Sequence, residues 1–385
     1  LPSSSQRGEG KAYLVYAFAG SRAGVKSVLM VSRMNAEGTA VSDGGVMVFD
    51  GHDANPTVEG PKFYKRNGFY YIFAPAGGVT NGWQLALRSK NIFGPYEEKV
   101  VLHHGNTAVN GPHQGAWVTT ESGEDWFIHF QDKGAYGRIV HLQPLKWVND
   151  WPVIGSDEDG DGIGEPVISF TRPDAVREWP EISPPVDDEF NGSSAGLQWQ
   201  WHANPSLSWG YPSEAYGCFR LNCIARPDSM HNLWDVPNLF LQKFPAEEFN
   251  VTASLKCSLR SEGEEAGMVV MGQDYQYISL KRSEGKLLVR VVRCIEAGKG
   301  NKEETLFSEE VKSGDIFFGV NVTQGAVCKF SYSTDGIVFT EAGDAFPARA
   351  GMWIGAKIGF FALRDGFTND AGYADLDWFR RDKTE

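Results

Sequence analysis

The chain has 385 residues, 42% hydrophobic and 22% charged, the composition of a folded protein and not of a disordered one. Its net charge of −13 argues against a nucleic-acid partner, which needs a basic face. No apolar run approaches the ~18 residues of a membrane-spanning helix.

At roughly 100–200 residues per domain, this length holds about two or three domains. The 44 glycines, 12 tryptophans and 13% aromatic residues favour short strands joined by tight turns over a helical bundle. The opening Leu1–Gly10 has no apolar leader core, and a leader already removed would leave no trace.

The first half repeats itself. Ala12–Phe18, a Gly-rich turn and Ser27–Ser32 form one unit. Gly68–Ala74 with Trp83–Ser89 form a second, and Asp125–Gln131 with Arg138–Leu142 a third. Their equivalent aromatic positions are Tyr13, Phe69 and Trp126, steps of 56 and 57 residues. Repeated paired strands at such a period predict β-propeller blades, which must stack to bury both faces. A closed propeller needs at least four blades. The three counted here predict a partial propeller over 1–170, with further blades upstream or on another polypeptide, either a companion chain or a second copy.

After the third unit, Asp157, Asp159 and Asp161 occupy positions 1, 3 and 5 of a calcium-loop pattern, with Gly162 at position 6. Position 12 is Ile168, where such a loop needs Glu. A solvated acidic turn and a calcium site both fit. Residues 171–187, rich in Pro and charge, read as a linker. Residues 188–385 then show seven or more short strand signals: Phe249–Leu259, Gly267–Met271, Tyr277–Lys281, Leu287–Val292, Phe317–Val322, Ala326–Tyr332 and Ile354–Phe361. Hairpin turns are signalled at Ser283-Glu284-Gly285 and Asp335-Gly336. That pattern predicts an antiparallel β-sandwich. Cys218, Cys223, Cys257, Cys294 and Cys328 are odd in number and lack metal-site spacing, so they read as reduced core thiols. Trp199, Trp201 and Trp209 at the sandwich entrance would serve either as core or as sugar-stacking platforms.

Three stretches carry candidate chemistry. In Asn55-Pro56-Thr57-Val58-Glu59-Gly60-Pro61, Glu59 stands just before a blade among apolar neighbours. Desolvation there would raise its pKa and suit a general acid; the other reading is a surface turn glutamate. In Asn110-Gly111-Pro112-His113-Gln114-Gly115, His113 at a blade entrance would bond a ligand hydroxyl, face a central ion, or be structural. In Tyr136-Gly137-Arg138, Arg138 opens an apolar strand and is expected to point into a core or cleft, either as a ligand for a polyhydroxyl compound or in a structural ion pair.

Together with His141, Trp147, Tyr64–Gly78 and Asp377-Trp378-Phe379, these motifs resemble glycoside hydrolase family 43. The likeness is to its two-domain β-xylosidases and α-L-arabinofuranosidases, and it runs from about Gly10 to the C-terminus. The resemblance implies an all-β chain, a five-bladed propeller followed by a concanavalin-like antiparallel sandwich. It implies inverting exo-hydrolysis that releases xylose or arabinose from xylan-derived oligosaccharides, with no organic cofactor. Glu59 would be the general acid, while His113, Arg138, Gln114 and Phe73 would line the sugar pocket. A calcium ion on the propeller axis near His113 is a further implication. The family's two other catalytic groups are aspartates that precede the strand matching Lys11–Phe18, and Leu1–Gly10 contains no Asp. The expectation is therefore an acid without its base, and an isolated chain inactive or very weak. A carbohydrate-binding protein without turnover, or a fragment whose open blade face promotes association, are the rival readings. Unpaired cysteines and the missing leader favour the cytoplasm, a secreted or periplasmic place being the alternative.

Overall fold

The computed structural model describes residues 11–367 and 370–382. Leu1–Gly10, whose lack of aspartate bears on the catalytic base, lies outside the described residues. The chain divides into two compact units, residues 1–132 with 138–180 and residues 133–137 with 181–385.

The first unit contains three consecutive up-and-down sheets. The first is β1 (Tyr13–Ala17), β2 (Val28–Arg33) and β3 (Val46–Asp50). The second is β4 (Lys62–Arg66), β5 (Phe69–Ala76), β6 (Trp83–Ser89) and β7 (Glu97–Leu102). The third is β8 (His113–Thr119), β9 (Asp125–Asp132), β10 (Arg138–Val148) and β11 (Trp151–Ile154). Within each, neighbours in space are neighbours in sequence, as in propeller blades. Tyr13, Phe69 and Trp126 fall at the starts of β1, β5 and β9. The sequence pattern marks two strands of each sheet, β1 and β2, β5 and β6, β9 and β10, and misses β3, β4, β7, β8 and β11.

The middle blade is covered on both faces, so β5 is buried from Tyr71 through Ala76. Ile72, Ala74 and Ala76 pack with Val15, Leu29 and Val31 of the first blade. Tyr71 and Phe73 pack with Phe127, Leu145 and Ile154 of the third. A strand buried on both sides reads as a continuous apolar run and not as an alternation. The β4–β5 hairpin turns on Asn67 and Gly68, both left-handed at φ 49° and 76°, the geometry a tight two-residue hairpin demands. The outer faces of the end blades leave apolar side chains in solvent. Val140 is 69% exposed and Leu142 42% on β10, and Met47 55% on β3. Faces of this kind are what propellers cover with adjacent blades.

The second unit is two antiparallel sheets. One runs Gln200–Trp201, Phe240–Lys243, Lys357–Arg364, Glu265–Met271, Tyr275–Ser283, Lys286–Cys294, Glu304–Val311, with Ile224–Ala225 adding in parallel. The other runs Gly210–Ser213, Cys218–Asn222, Tyr373–Arg381, Phe249–Ser258, Asp315–Thr323, Val327–Ser333, Thr340–Pro347. Side chains from both sheets, among them Val251, Met268, Ile278, Phe318, Phe330 and Phe360, form one core, as in concanavalin-like sandwiches. Glu284 and Gly285 make the expected hairpin turn, at φ 52° and 77°. All five cysteines are free and four are buried. Trp199 is core: it is 8% exposed and stacks on Phe240 at 4.9 Å. Trp201 packs on the same Phe240 at 4.8 Å and Trp209 packs on Trp201. A stacking platform for sugar at Trp199 is therefore overturned, because its ring has no free face. Among the described residues, no helix is long and apolar enough to cross a membrane.

Candidate functional site

Glu59 lies in the loop from β3 to β4, and that loop is pinned on every side. Val58 is 1% exposed and seated in the core between the first two blades. Asn55 is buried; its Oδ1 accepts the Trp83 indole N–H at 3.0 Å and its Nδ2 donates to Glu98 at 3.1 Å. Thr57 donates its backbone N–H to Ser27 Oγ at 2.8 Å and holds a left-handed φ of 60°. Gly77 donates to the Pro56 carbonyl, and Glu59 donates its own N–H to the Pro75 carbonyl at the end of β5. Lys62 Nζ donates to the Gly60 carbonyl at 2.9 Å. A non-glycine residue with positive φ costs energy that the surroundings must supply, and such residues gather at functional sites.

The Glu59 carboxylate receives two donors on one oxygen. His113 Nε2 lies 3.0 Å and Gln114 Nε2 3.2 Å from Oε1. A carboxylate only accepts, so Nε2 of His113 carries the shared proton. His113 is 1% exposed and the Glu59 side chain 49%. Nδ1 of His113 is buried without a hydrogen-bond partner among the described residues. Oε2 of Glu59 also has none among them, and it stands in a half-exposed side chain. The expected upward pKa shift is overturned. The His113 hydrogen bond pulls the Glu59 pKa below the usual glutamate value, and Gln114 adds to this. Burial opposes them and loses, because half of the side chain stays in water.

Arg138 is exposed and does not enter a core. As the first residue of β10 it pairs with Asp132, and its guanidinium lies 4.6 Å from the Phe130 ring centroid. Phe130 in turn meets His113 edge-on at 5.7 Å. Phe130 therefore connects Arg138 to the His113–Glu59 pair; in the sequence it looks like any apolar strand position, so nothing marks it. Phe73, expected to line the pocket, is 0% exposed. Its ring is enclosed by Tyr64 at 5.3 Å, Phe127 at 6.0 Å and Trp117 at 6.4 Å. It has no surface to offer a ligand and holds the second and third blades together. Trp147 belongs to the same cluster, donating its indole N–H to Asp125 at 2.9 Å. His141 stacks on buried His129 at 5.4 Å and meets Gln131 Oε1 at 3.1 Å. Gln131 donates to Asn110 Oδ1 at 2.7 Å, so His141 supports the loop that leads into His113.

As a calcium ligand, His113 fits poorly. That cation takes six to eight oxygens, and the atom left over here is one imidazole nitrogen. Asp157, Asp159 and Asp161 do converge, with one ligand atom from each within 4.8 Å of the others. Their carboxylates already receive the loop's own N–H groups: Asp157 from Gly160 at 2.9 Å and Gly162 at 3.0 Å, Asp159 from Asp161 at 3.3 Å, Asp161 from Ile163 at 2.7 Å.

Known proteins resemble this chain along nearly its whole length. A model of glycosyl hydrolases family 43 matches residues 2–152, and one of the beta xylosidase C-terminal concanavalin A-like domain matches residues 187–381. A protein of Xylanibacter ruminicola is 37% identical over 86% of this chain and 59% of its own length. A protein of Formosa agariphila named beta-xylosidase is 30% identical over 97% of this chain and 67% of its own length. The chain thus spans about three-fifths to two-thirds of these relatives. In fold it is similar to xylan beta-1,4-xylosidase from Bacillus halodurans, with a TM-score of 0.84 and 21% identity over 99% of this chain and 76% of that one. A family 43 protein from Bacillus licheniformis gives 0.82 and 24% over 99% and 74%.

Proposed function

We propose that this chain, which belongs to glycosyl hydrolase family 43, supplies the proton donor for hydrolysis of xylan-derived oligosaccharides from their ends. Xylose or arabinose is released with inversion, and Glu59 is the general acid. One observation carries the reading. Oε1 of Glu59 is taken by His113 and Gln114 while Oε2 has no hydrogen-bond partner among the described residues. A carboxyl group held by one oxygen presents the other to a ligand, and Oε2 is where a transferable proton sits.

In the free protein the two donors favour the carboxylate. A sugar lying over Oε2 removes water from the exposed half of the side chain. Desolvation then raises the proton affinity of Glu59 and loads the acid where the glycosidic oxygen waits. Arg138, propped on Phe130, offers a planar set of donors suited to sugar hydroxyls. His113 fixes the acid from its buried side. An inverting reaction also needs a second carboxylate on the opposite sugar face, roughly 6.5–9.5 Å from the acid, to activate water. That base stands across the sugar and beyond hydrogen-bond reach of Glu59, so His113 and Gln114, the two side chains that do bond it, serve to hold the acid.

A second reading, sugar binding without cleavage, is favoured by the carboxylate state of free Glu59. The test is an assay of the full-length protein on 4-nitrophenyl β-D-xyloside and α-L-arabinofuranoside, with proton NMR of the first sugar released. Release of the anomer opposite to the substrate's supports the proposal. Release of the same anomer overturns inversion, and binding without release favours the second reading.

A further inference from the structure

Resting on the assignment of Glu59 as acid, the geometry points to Gln114 as a positioning residue for that acid, aimed by a β-bulge, and not as a sugar ligand. Between β8 and β9 the register steps from His113↔Phe130 to Ala116↔Ile128. Two residues of β8, Gln114 and Gly115, thus stand opposite one of β9, His129. Successive side chains of a regular strand point to opposite faces, so His113 and Gln114 of an unbroken β8 would not reach the same atom. The extra residue, with Gln114 at a left-handed φ of 53°, re-aims its side chain, a recognised use of bulges beside active sites. Both donors then meet on Oε1 of Glu59.

Two glycines make room for this arrangement. A Cβ on Gly115 would lie 2.0 Å from the Phe127 ring, so the bulge sits directly on the blade core. A Cβ on Gly60, whose φ is +52°, would lie 2.2 Å from Oε1 and 2.7 Å from Nε2 of Gln114. The Gln114 amide is therefore laid over the bare Cα of Gly60, with its nitrogen on the neighbouring Glu59. His113 alone would leave the carboxyl group free to rotate and exchange its oxygens. The second donor fixes which oxygen is held and which carries the proton.

The test uses Gln114→Met, which keeps side-chain length but cannot donate, and Gln114→Glu, which places a like charge beside Glu59. Glu59 is titrated by carboxyl carbon-13 NMR in each, and kcat and KM are followed against pH in the full-length protein. The proposal expects the Glu59 proton equilibrium to shift about two- to fivefold toward the acid form in Gln114→Met, and further in Gln114→Glu. The alkaline limb of kcat/KM should move upward by the same amount, with KM little changed. An unchanged Glu59 titration overturns the proposal, as does a raised KM with an unmoved pH profile, the mark of a sugar ligand. A shifted Glu59 titration with an unmoved profile supports the positioning role and overturns Glu59 as the acid instead.

Discussion

Replacing Gly60 by alanine probes the site through a single methyl group. The residue has φ +52°, where an L side chain costs roughly 1–2 kcal/mol. The added Cβ would also stand 2.2 Å from Oε1 of Gln114, so the flexible end of that side chain must swing away and give up its 3.2 Å bond to Glu59. A neutral donor on a half-exposed carboxylate is worth about 1 kcal/mol. The sum, about 2–3 kcal/mol, lowers Tm by roughly 4–12 °C for a unit of this size. Calorimetry reads the melting shift, and carbon-13 NMR reads the Glu59 titration, which should move upward as one of its two donors is lost. A Gly60→Ala protein that melts like wild type, with Glu59 titrating at its original pH, would refute the claim that Gln114 is seated on Gly60.

Phe73→Ala should cost about 3–5 kcal/mol in urea unfolding, because the ring is fully enclosed between two blades; an unchanged stability with a raised KM would return Phe73 to the pocket. Burial pushes the His129 pKa down from 6.5 to about 4. The folded state then binds that proton more weakly than the unfolded one, so its contribution is present above pH 6.5 and lost as pH falls toward 4, about 3 kcal/mol in all. In His129→Phe the acid loss of stability should shrink by that amount, and an identical pH dependence would show that His129 is not buried neutral. Asp157→Asn should lower Tm by weakening the acceptor of two loop N–H groups, while millimolar calcium leaves the wild-type Tm unchanged. A calcium-dependent rise that Asp157→Asn abolishes would establish a cation site there.

What the sequence made legible was local. Glu284-Gly285 announces a hairpin because the backbone there must be left-handed. The spacing of Tyr13, Phe69 and Trp126 marks the same strand in three successive sheets. Glu59 is conspicuous beside Gly60-Pro61. Its ionisation is not legible, since the groups that set it, His113 and Gln114, stand 54 and 55 residues away. Phe73 misleads for a related reason: β5 is covered on both faces, so alternation cannot say which aromatic side chains meet a ligand. Arg138 opens an apolar strand, yet that stretch of β10 lies on an exposed blade face. The bulge at Gln114–Gly115 leaves only a glycine as its trace, and its meaning depends on Phe127 in the next strand.

The central claim is that Glu59 hands a proton to a leaving oxygen. Its most direct test compares Glu59→Gln with wild type in the full-length protein on xylobiose and on a dinitrophenyl xyloside, whose leaving group needs little protonation. The account predicts a loss of about 10²–10⁴-fold on xylobiose and a far smaller one on the activated substrate. Equal losses on both substrates, or wild-type turnover of xylobiose, would contradict it.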